Sequence, residues 1–535
     1  MRIINKTAAM LLACAMLAGC ASGENNNNKK SKGSTLIVSS PSDTDPNHVP
    51  AAEKNLPVID IKTKSTAGDV MKFVTEPVAR HVAEAITTWD DEYVIPAEPY
   101  YEDCTITVRD EDGTTVIDGA DAAVKVRGNW TTTYMKKPLR IKFAEKKNVL
   151  GLNDGNEFKN WLLLAEYKDF SMLRNKVSFF IAKELLGKDG YYSSDSKLVQ
   201  VNINGEYWGV YLLAEQQQTN KNRVNITEPE KDYKGTDIGY FFEYDGYYYN
   251  EEPLKQFKID YHNGDPLIPY DGSDSSQRKA YPYSDGMNDT GFSIKSDIYS
   301  VEQHDFIEKF VSNVYDIMYE AAVNDKAFVM SEDLGKIRED SSITPQQAVE
   351  NVVDLRSLTD MFILSELTCD ADIYFSSFYM DADFGEGGSR KLRFEAPWDF
   401  DSGLGNKDRC ADGTGHYAGN LIFDVNGNDE VMDNPWLMVL MHEEWYQNMI
   451  KERWTELYES GVFERAYDMI TTDSEQYEKA FEENSKKWGE AFKNESILNE
   501  LCAGAASCKI EKQAADYLRS WLAGRVAFMD SQWHK

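Results

Sequence analysis

The sequence predicts an α+β fold, and three observations support this prediction. The chain has 535 residues, of which 42% are hydrophobic, so it can bury a large core and is not a disordered polymer. Strand patterns dominate its first half and helical patterns its second half. The regular alternation of strand and helix that is typical of parallel α/β proteins is missing. We therefore expect a strand-rich N-terminal half and a helix-rich C-terminal half.

The predicted strands are recognised by alternating apolar and polar residues or by short apolar runs. Two of them form a strong hairpin, because Asn204-Gly205 is a pair that two-residue hairpin turns prefer. A Tyr-, Asp- and Gly-rich stretch near 246–298 interrupts the pattern and predicts an insertion or long surface loop. The strand segments are 104–110, 124–130, 138–143, 198–216 (the hairpin) and 239–245, and 161–167 is a buried run.

Helical periodicity first appears over 171–187, where Ser171 is the expected N-cap and Gly187 the expected stop. Amphipathic helices are also predicted over 301–323 and 352–368. A hairpin is predicted over 377–396, and from about residue 434 the pattern is mostly helical.

The first twenty residues have the pattern of an export signal. Arg2 and Lys6 precede an eleven-residue apolar run, Ala8–Ala18, which is too short to span a bilayer. The run ends in Leu-Ala-Gly-Cys, which resembles a bacterial lipobox and predicts lipidation of Cys20; an ordinary secretory signal is the alternative. We expect an extracytoplasmic protein of the bacterial cell envelope, anchored only by that lipid, with 20–56 as a flexible tether.

Charge and motif patterns exclude several classes of function. The chain has 90 acidic and 57 basic residues, a formal charge of −33, which argues against non-specific binding to nucleic acid. The same charge disfavours electrostatic docking on anionic lipid. The seven histidines lack the spacing of a zinc hydrolase, and neither a Walker pattern nor a Gly-x-Ser-x-Gly elbow occurs.

Two acidic clusters, 369–377 and 398–401, are candidates for a catalytic or metal-binding site. The predicted hairpin between them would bring Asp372 and Asp399 to the same end of one element. Carboxylates gathered there can bind Mg²⁺, and one of them can act as a base. The order of an Asp, a hairpin and then Asp-Phe is also found in protein kinases. Spacing alone leaves two interpretations open, a metal and phosphoryl-transfer site or solvated turns.

Four motifs together make the sequence resemble the CotH family of spore-coat-type protein kinases. They are VRGNWT…KKPLRIKF, NWLLLAEYKDFSMLRNKVSFFIAKEL, VQVNINGEYWGVYLLAEQ and PWDFDSGLGN, and the resemblance covers roughly 120–245 and 350–460. It implies an atypical protein-kinase-like fold that binds ATP with Mg²⁺, or with Mn²⁺. It also implies phosphorylation of Ser or Thr on an extracytoplasmic protein substrate.

The resemblance implies roles for residues of the acidic clusters. Asp372 is the candidate catalytic base, which would accept the proton of the substrate hydroxyl. Asp399 is the candidate Mg²⁺ ligand, and Asp401 is a second candidate. Ser377 stands where kinase-like members supply Asn, and a hydroxyl is a weaker metal ligand than an amide oxygen. Because of this difference, a second metal ion would be bound more weakly than in members that have Asn.

Residues of the first half are the nucleotide-binding candidates. Gly128 allows the backbone to turn sharply and to approach a phosphate; an ordinary tight turn is the alternative. Arg140 and Lys142 face the same side of a predicted strand and could neutralise phosphates, and the sequence does not choose between them. Glu215, at the end of the strong hairpin, could hold the ribose or a basic partner. Arg174 is expected to pair with a carboxylate.

The predicted organisation has five parts. They are a signal peptide (1–19), a lipidated Cys and tether (20–56), a strand-containing lead-in (57–119), a CotH kinase-like domain (120–460) and a C-terminal helical extension (461–535).

Two functions follow from these observations. The first is an ATP-dependent protein kinase. The second is a catalytically silent surface lipoprotein that binds an envelope protein or a glycan, which the Ser at 377, the Tyr-rich stretch and the scarcity of extracellular ATP favour.

Overall fold

The computed structural model describes residues 48–262, 290–370, 372–373, 376–407, 413–414 and 434–535. The predicted signal peptide and Cys20 lie outside the described residues. So does the middle of the predicted insertion near 246–298, whose ends are described.

The first half of the chain forms a closed barrel in the order β1-β2-β3-β4-β5-β7-β6. Neighbouring strands are antiparallel, except that β1 pairs in parallel with β6 and closes the barrel. Two short helices, α1 (Lys72–Thr75) and α2 (Arg80–Ile86), lie between β1 and β2. The strands are β1 (Val58–Thr63), β2 (Glu102–Arg109), β3 (Thr115–Val126), β4 (Leu139–Lys147), β5 (Phe158–Leu164), β6 (Ser196–Ile203) and β7 (Glu206–Glu215).

Alternating side chains fill the barrel interior. On β2 the residues Cys104, Ile106 and Val108 are fully buried, and the threonines between them point outward. Trp161 of β5 is buried in the same core, and its indole N–H donates to the backbone oxygens of Lys147 and Phe158. The alternation read from the sequence is therefore the inward and outward alternation of a barrel wall.

The turn between β6 and β7 confirms the predicted hairpin. Asn204 and Gly205 both have positive φ, 51° and 83°, which is the requirement of a type I′ turn. Asn and Gly tolerate this conformation better than other residues.

Helix α3 (Arg174–Leu186) follows β5 and confirms the predicted helix, but its start differs. The residue before the helix is Leu173, so Ser171 is not the N-cap. The Asp169 carboxylate instead accepts from the backbone N–H of Arg174 (2.8 Å) and of Ser171 (3.0 Å). Arg174 pairs with Asp169, which confirms that this arginine pairs with a carboxylate.

The second half contains a five-stranded sheet in the order β14-β13-β8-β10-β9, as far as the chain is described. Its central strand β8 is buried at all seven positions, which explains the apolar run GYFFEYD. The elements are β8 (Gly239–Asp245), β9 (Gln256–Phe257), β10 (Gly291–Ile294), α4 (Val301–Asn324), β11 (Phe328–Met330), β12 (Ile337–Glu339), α5 (Pro345–Val352), α6 (Leu355–Thr368), β13 (Phe378–Asp383) and β14 (Arg393–Phe394).

The C-terminal part is helical, as predicted, and packs on the rest of the chain. The ring of Trp533 lies 5.8 Å from that of Phe362 on α6. Between the same two helices, the buried Arg525 lies 3.1 Å from the buried Glu366 carboxylate. The helices are α7 (Pro435–Met438), α8 (Glu444–Glu459), α9 (Val462–Gln476), α10 (Glu478–Trp488), α11 (Glu495–Glu500), α12 (Ala503–Ser507) and α13 (Glu511–Trp533).

The predicted boundaries at 119 and 460 both fall inside packed units. The barrel takes β1, β2 and part of β3 from the lead-in, and its other strands from the following domain. Helix α13 of the extension packs on α6 and α9. One hydrophobic core also joins the outer face of the barrel, through Leu162 and Leu164, to the helices and the second sheet. None of the helices in the described ranges combines the length and hydropathy of a membrane span.

The ion pair between Arg525 and Glu366 generates a prediction about stability. Arg525→Met removes the charge while Glu366 stays buried, so we expect the free energy of unfolding to fall by about 3–5 kcal/mol. Urea unfolding measures this loss. Lys535→Ala is the matched control, because Lys535 forms an exposed pair with Glu452 and such pairs contribute little. Equal midpoints for the two variants would contradict the prediction.

Candidate functional site

A cavity of about 960 Å³ lies between the outer face of the barrel and the second sheet. The barrel contributes residues of β3, β4 and β5, and the second sheet contributes residues of β8 and β13. The loops that follow α6 and β14 close one end. Among the described residues, six basic side chains line the cavity, namely Lys125, Arg127, Arg140, Lys168, Lys295 and Lys407.

Three of the carboxylates selected from the sequence line this cavity together. They are Asp372, Asp399 and Asp401. Helix α6 ends at Thr368, and the next residue, Cys369, has a positive φ of 46° that turns the chain. The β13–β14 hairpin returns the chain to the same place. Asp399 itself has a φ of 71°, a conformation that is strained for a non-glycine residue.

Negative charge is concentrated at this end of the cavity. Burial raises the pKa of Asp399 to about 7, with further contributions from the neighbouring Asp401 and Asp372, against which Lys168 and Arg127 act. Asp370 is fully buried, and its Oδ2 has no hydrogen-bond partner within the described residues. The cluster therefore has more carboxylate charge than the surrounding protein compensates.

Lys168 is the buried cation of the cluster, and the sequence reasoning did not identify it. Its Nζ donates to the Ser402 hydroxyl (2.6 Å) and lies 3.6 Å from Asp401 Oδ2. Burial alone would lower the pKa of Lys168, but Asp401 and other acidic neighbours hold it well above its ordinary value. The signal in the sequence was a lysine directly after the buried run 161–167.

Ser377 is held beside Asp399 by the ion pair of Glu243 and Lys295, two residues that the sequence reasoning also missed. The Ser377 hydroxyl lies 3.5 Å from Asp399 Oδ2, and its backbone N–H donates to Glu243 Oε1 (2.8 Å). The other oxygen of Glu243 lies 2.9 Å from the Lys295 Nζ. A glutamate within the aromatic segment 240–244 of strand β8 was the available signal.

Gly128 lines the cavity at the turn after β3. Its φ is 98°, and a Cβ there would lie 2.4 Å from the Thr131 hydroxyl, so this position requires glycine. The guanidinium of the adjacent Arg127 lies 5.8 Å from the centre of the Trp398 ring. Trp398 is the residue directly before Asp399 in the sequence. The turn thus faces the acidic cluster across the cavity.

The structure separates Arg140 from Lys142. Arg140 lines the cavity and donates two hydrogen bonds to Asn160 Oδ1, at 3.0 and 3.3 Å. Lys142 is two residues further along β4, exposed and outside the cavity, with its Nζ 5.9 Å from the centre of the Tyr101 ring.

Glu215 also lies outside the cavity, where it holds a basic partner. It is buried and lies 3.0 Å from Arg223, and it also accepts from Asn153 (2.6 Å). Arg223 donates to Gln218, which accepts in turn from Asn160. Since Asn160 also binds Arg140, one hydrogen-bonded chain runs from Glu215 to Arg140. Glu215 thus acts on the cavity only through its partners.

The donor set fits a hard divalent cation. Mg²⁺ is usually held by one or two carboxylates together with waters and substrate phosphates. Asp399 and Asp401 supply such carboxylates, and their excess negative charge would be offset by the ion. The basic side chains that line the same cavity suit a polyanionic ligand.

Comparison with known proteins found a matching family model and a similar protein of known name. The family model described as CotH kinase protein matches residues 124–529. The chain is also similar to the inner spore coat protein H of Bacillus subtilis (strain 168), with 34% identity over 95 residues. That alignment covers 18% of this chain and 24% of the relative, so the similarity spans about a quarter of the relative's length.

The crowding of carboxylates generates a pH-dependent prediction. Folded Asp399 keeps its proton up to about pH 7, whereas its ordinary pKa is 3.8. The folded state therefore binds more protons in this range, and stability falls as the pH rises from about 4 to about 7. Without divalent cations, Asp399→Asn should be more stable than the wild type at pH 8, by about 1–2 kcal/mol, and by less at pH 5.

Chemical denaturation at the two pH values measures this difference. Asp468→Asn, at an exposed position of α9, is the control and should show no such gain. An advantage of Asp399→Asn that is the same at pH 5 and pH 8 would show that carboxylate repulsion is not its cause.

Proposed function

The chain belongs to the CotH family, and we propose that it is a protein kinase that transfers the γ-phosphoryl group of ATP to a Ser or Thr hydroxyl of an extracytoplasmic protein. The observation that carries this proposal is the cavity itself. Clustered carboxylates at one end face Gly128, Arg127 and Arg140 across a cleft between two structural units. Phosphoryl transfer needs such an arrangement, because catalysis depends on positioning and on compensation of phosphate charge.

We propose further that the barrel and the second sheet with its helices are the two lobes of an atypical protein-kinase-like fold. The support is topological. A strand-built unit precedes a helix-rich unit, the cleft lies between them, and the carboxylates follow a buried helix and a hairpin of the second unit. The Asp, hairpin and Asp-Phe order is that of the kinase catalytic segment.

Each end of the cavity has its own task in this proposal. Asp399 and Asp401 would hold Mg²⁺ (Mn²⁺ is an alternative), which supplies charge that offsets the phosphates when it is bound. Arg127 and Arg140 would bind phosphate oxygens, and the Gly128 turn allows close approach of the backbone. Lys168 keeps Asp401 in place, since it is buried beside that carboxylate.

Asp372 is the proposed base. In the transfer, the substrate hydroxyl oxygen bonds to the γ-phosphorus, the bond to the β–γ bridging oxygen breaks, and ADP leaves. The hydroxyl proton passes to an Asp372 oxygen. Lys407 Nζ lies 3.7 Å from Asp372 Oδ1, a position that keeps this carboxylate oriented toward the cavity.

The export pattern supports the same proposal for location. A lipid on Cys20 would hold the enzyme on the bacterial cell envelope, where its substrates would lie. The second function, a silent binding module for an envelope protein or a glycan, is favoured by one observation. By the resemblance, Ser377 stands where kinase-like members supply Asn, and its hydroxyl lies 3.5 Å from Asp399 Oδ2.

Binding of ATP is the first test. Titration calorimetry of the protein with ATP should show heat only with Mg²⁺ or Mn²⁺, and Asp399→Ala should weaken binding at least tenfold, the effect of losing about 1.4 kcal/mol. Asp468→Ala is the matched control and should bind as the wild type does. Absence of binding at millimolar ATP would rule out the kinase and leave the binding module.

The role of Asp372 is tested separately. Asp372→Asn keeps the shape of the side chain but cannot accept the proton. We expect ATP affinity within about twofold of the wild type and phosphorylation of envelope proteins reduced by about 100-fold or more. Transfer of ³²P from labelled ATP to an envelope extract measures the rate. Full activity of this variant would exclude Asp372 as the base.

A further inference from the structure

The turn that carries Asp399 and Asp401 lies against the start of helix α3. Asn175 is the second residue of α3, and Glu166 follows strand β5 by two residues. Both side chains line the cavity and are buried, with 3% and 6% of their surface exposed. Neither of them takes part in the phosphoryl transfer proposed for this site.

The side-chain amide of Asn175 joins two partners. Its Oδ1 accepts from the backbone N–H of Phe400 (2.8 Å), and its Nδ2 donates to Glu166 Oε1 (3.0 Å) and Oε2 (3.2 Å). Because a backbone N–H can only donate, the amide oxygen has to face Phe400 and the amide nitrogen has to face Glu166. The Glu166 carboxyl group thus fixes the orientation of the amide that holds Phe400.

The Phe400 N–H belongs to the peptide bond that follows Asp399. Asp399 has a φ of 71°, and a strained backbone conformation persists only where the surrounding structure holds it. The hydrogen bond from Asn175 fixes the plane of this peptide bond, and with it the direction of Asp399 relative to Asp401. At the other end of the turn, Asn406 Nδ2 donates to the backbone oxygen of Asp401 (2.7 Å). The segment between the two carboxylates is therefore held at both ends.

The two halves of the chain meet in this contact. Asn175 and Glu166 belong to the first half, between β5 and β6, whereas Asp399 and Asp401 follow the β13–β14 hairpin of the second sheet. The first half thus contributes to the shape of a site whose carboxylates come from the second half.

We propose that Asn175 is a positioning residue and that Glu166 orients it, so that Asp399 and Asp401 are held in the arrangement that binds the divalent cation. This inference rests on the proposed function, which assigns both aspartates to the metal. Asn175 acts on the cation through the Phe400 backbone and not as a ligand. Loss of its hydrogen bonds would leave both carboxylates in the cavity but release their relative position, so the cation would bind more weakly.

Mn²⁺ tests the inference when it is titrated into the full protein, alone and with ATP, and followed by electron paramagnetic resonance. Asn175→Leu removes both hydrogen bonds and changes no charge. The exchanged pair, Asn175→Asp with Glu166→Gln, restores them with donor and acceptor reversed, and it keeps the number of carboxyl groups. Asn484→Leu is the matched control. Asn484 is also buried and also accepts from a backbone N–H, that of Val210 (3.0 Å), but it does not line this cavity.

Asn175→Leu should bind Mn²⁺ about tenfold more weakly than the wild type, the effect of losing one hydrogen bond. The exchanged pair should recover an affinity within about threefold of the wild type. Asn175→Leu and Asn484→Leu should both unfold at lower urea concentrations than the wild type. Only Asn175→Leu should also lose affinity and change the spectrum of bound Mn²⁺, a difference that a merely structural role of Asn175 would not produce.

Three other results would overturn the inference. If Asn175→Leu binds Mn²⁺ as the wild type does, or if Asn484→Leu loses as much affinity, the inference is wrong and the proposed function stands. If the exchanged pair binds as weakly as Asn175→Leu, the two hydrogen bonds are not the cause, and the inference is again wrong. If the wild type does not bind Mn²⁺ either alone or with ATP, the proposed metal site itself fails, and the inference with it.

Discussion

The structure around the cleft depends on one constraint, the compensation of several carboxylates that are brought together away from bulk water. Asp399 and Asp401 repel each other and Asp372, and burial adds to the free energy of ionising them. Lys168 from the barrel side offsets part of this charge. A site with this electrostatic imbalance is less stable than a neutral one, and in the proposed function a cation and a phosphate-bearing ligand would complete it.

Both structural units are needed to maintain that arrangement. The barrel supplies the rigid strands that carry Gly128 and Arg140, and its outer face shares a core with α3 and the second sheet. The second sheet supplies Glu243, which fixes the backbone of Ser377 and is itself held by Lys295. The C-terminal helix α13 closes the packing through Arg525 and Glu366 on α6, the helix that leads into Asp372. Because the family match reaches residue 529, these last helices belong to the region that the family model covers.

Local sequence patterns were sufficient to predict many of the strands and helices. Strand patterns predicted the strands near 104–110, 124–130 and 138–143, Asn204-Gly205 predicted the hairpin turn, and apolar periodicity predicted α3, α4 and α6. The start of α3 was missed, because the turn at Asp169 places a carboxylate on the helix N–H groups more directly than Ser171 does. The barrel was also missed as one unit, since the parallel contact between β1 and β6 joins segments about 140 residues apart.

The sequence by itself determined the family motifs, the three cluster carboxylates and the glycine at 128, because each depends on residue type and short spacing. Tertiary structure alone decided that Lys168 lies beside Asp401 and that Lys295 pairs with Glu243. Both lysines are distant in sequence from the acidic clusters, and only packing brings them into the cavity. It also decided that Arg140 faces the cleft while Lys142 does not, and that Glu215 pairs with Arg223. These choices depend on the order and register of strands, which the one-dimensional pattern does not contain.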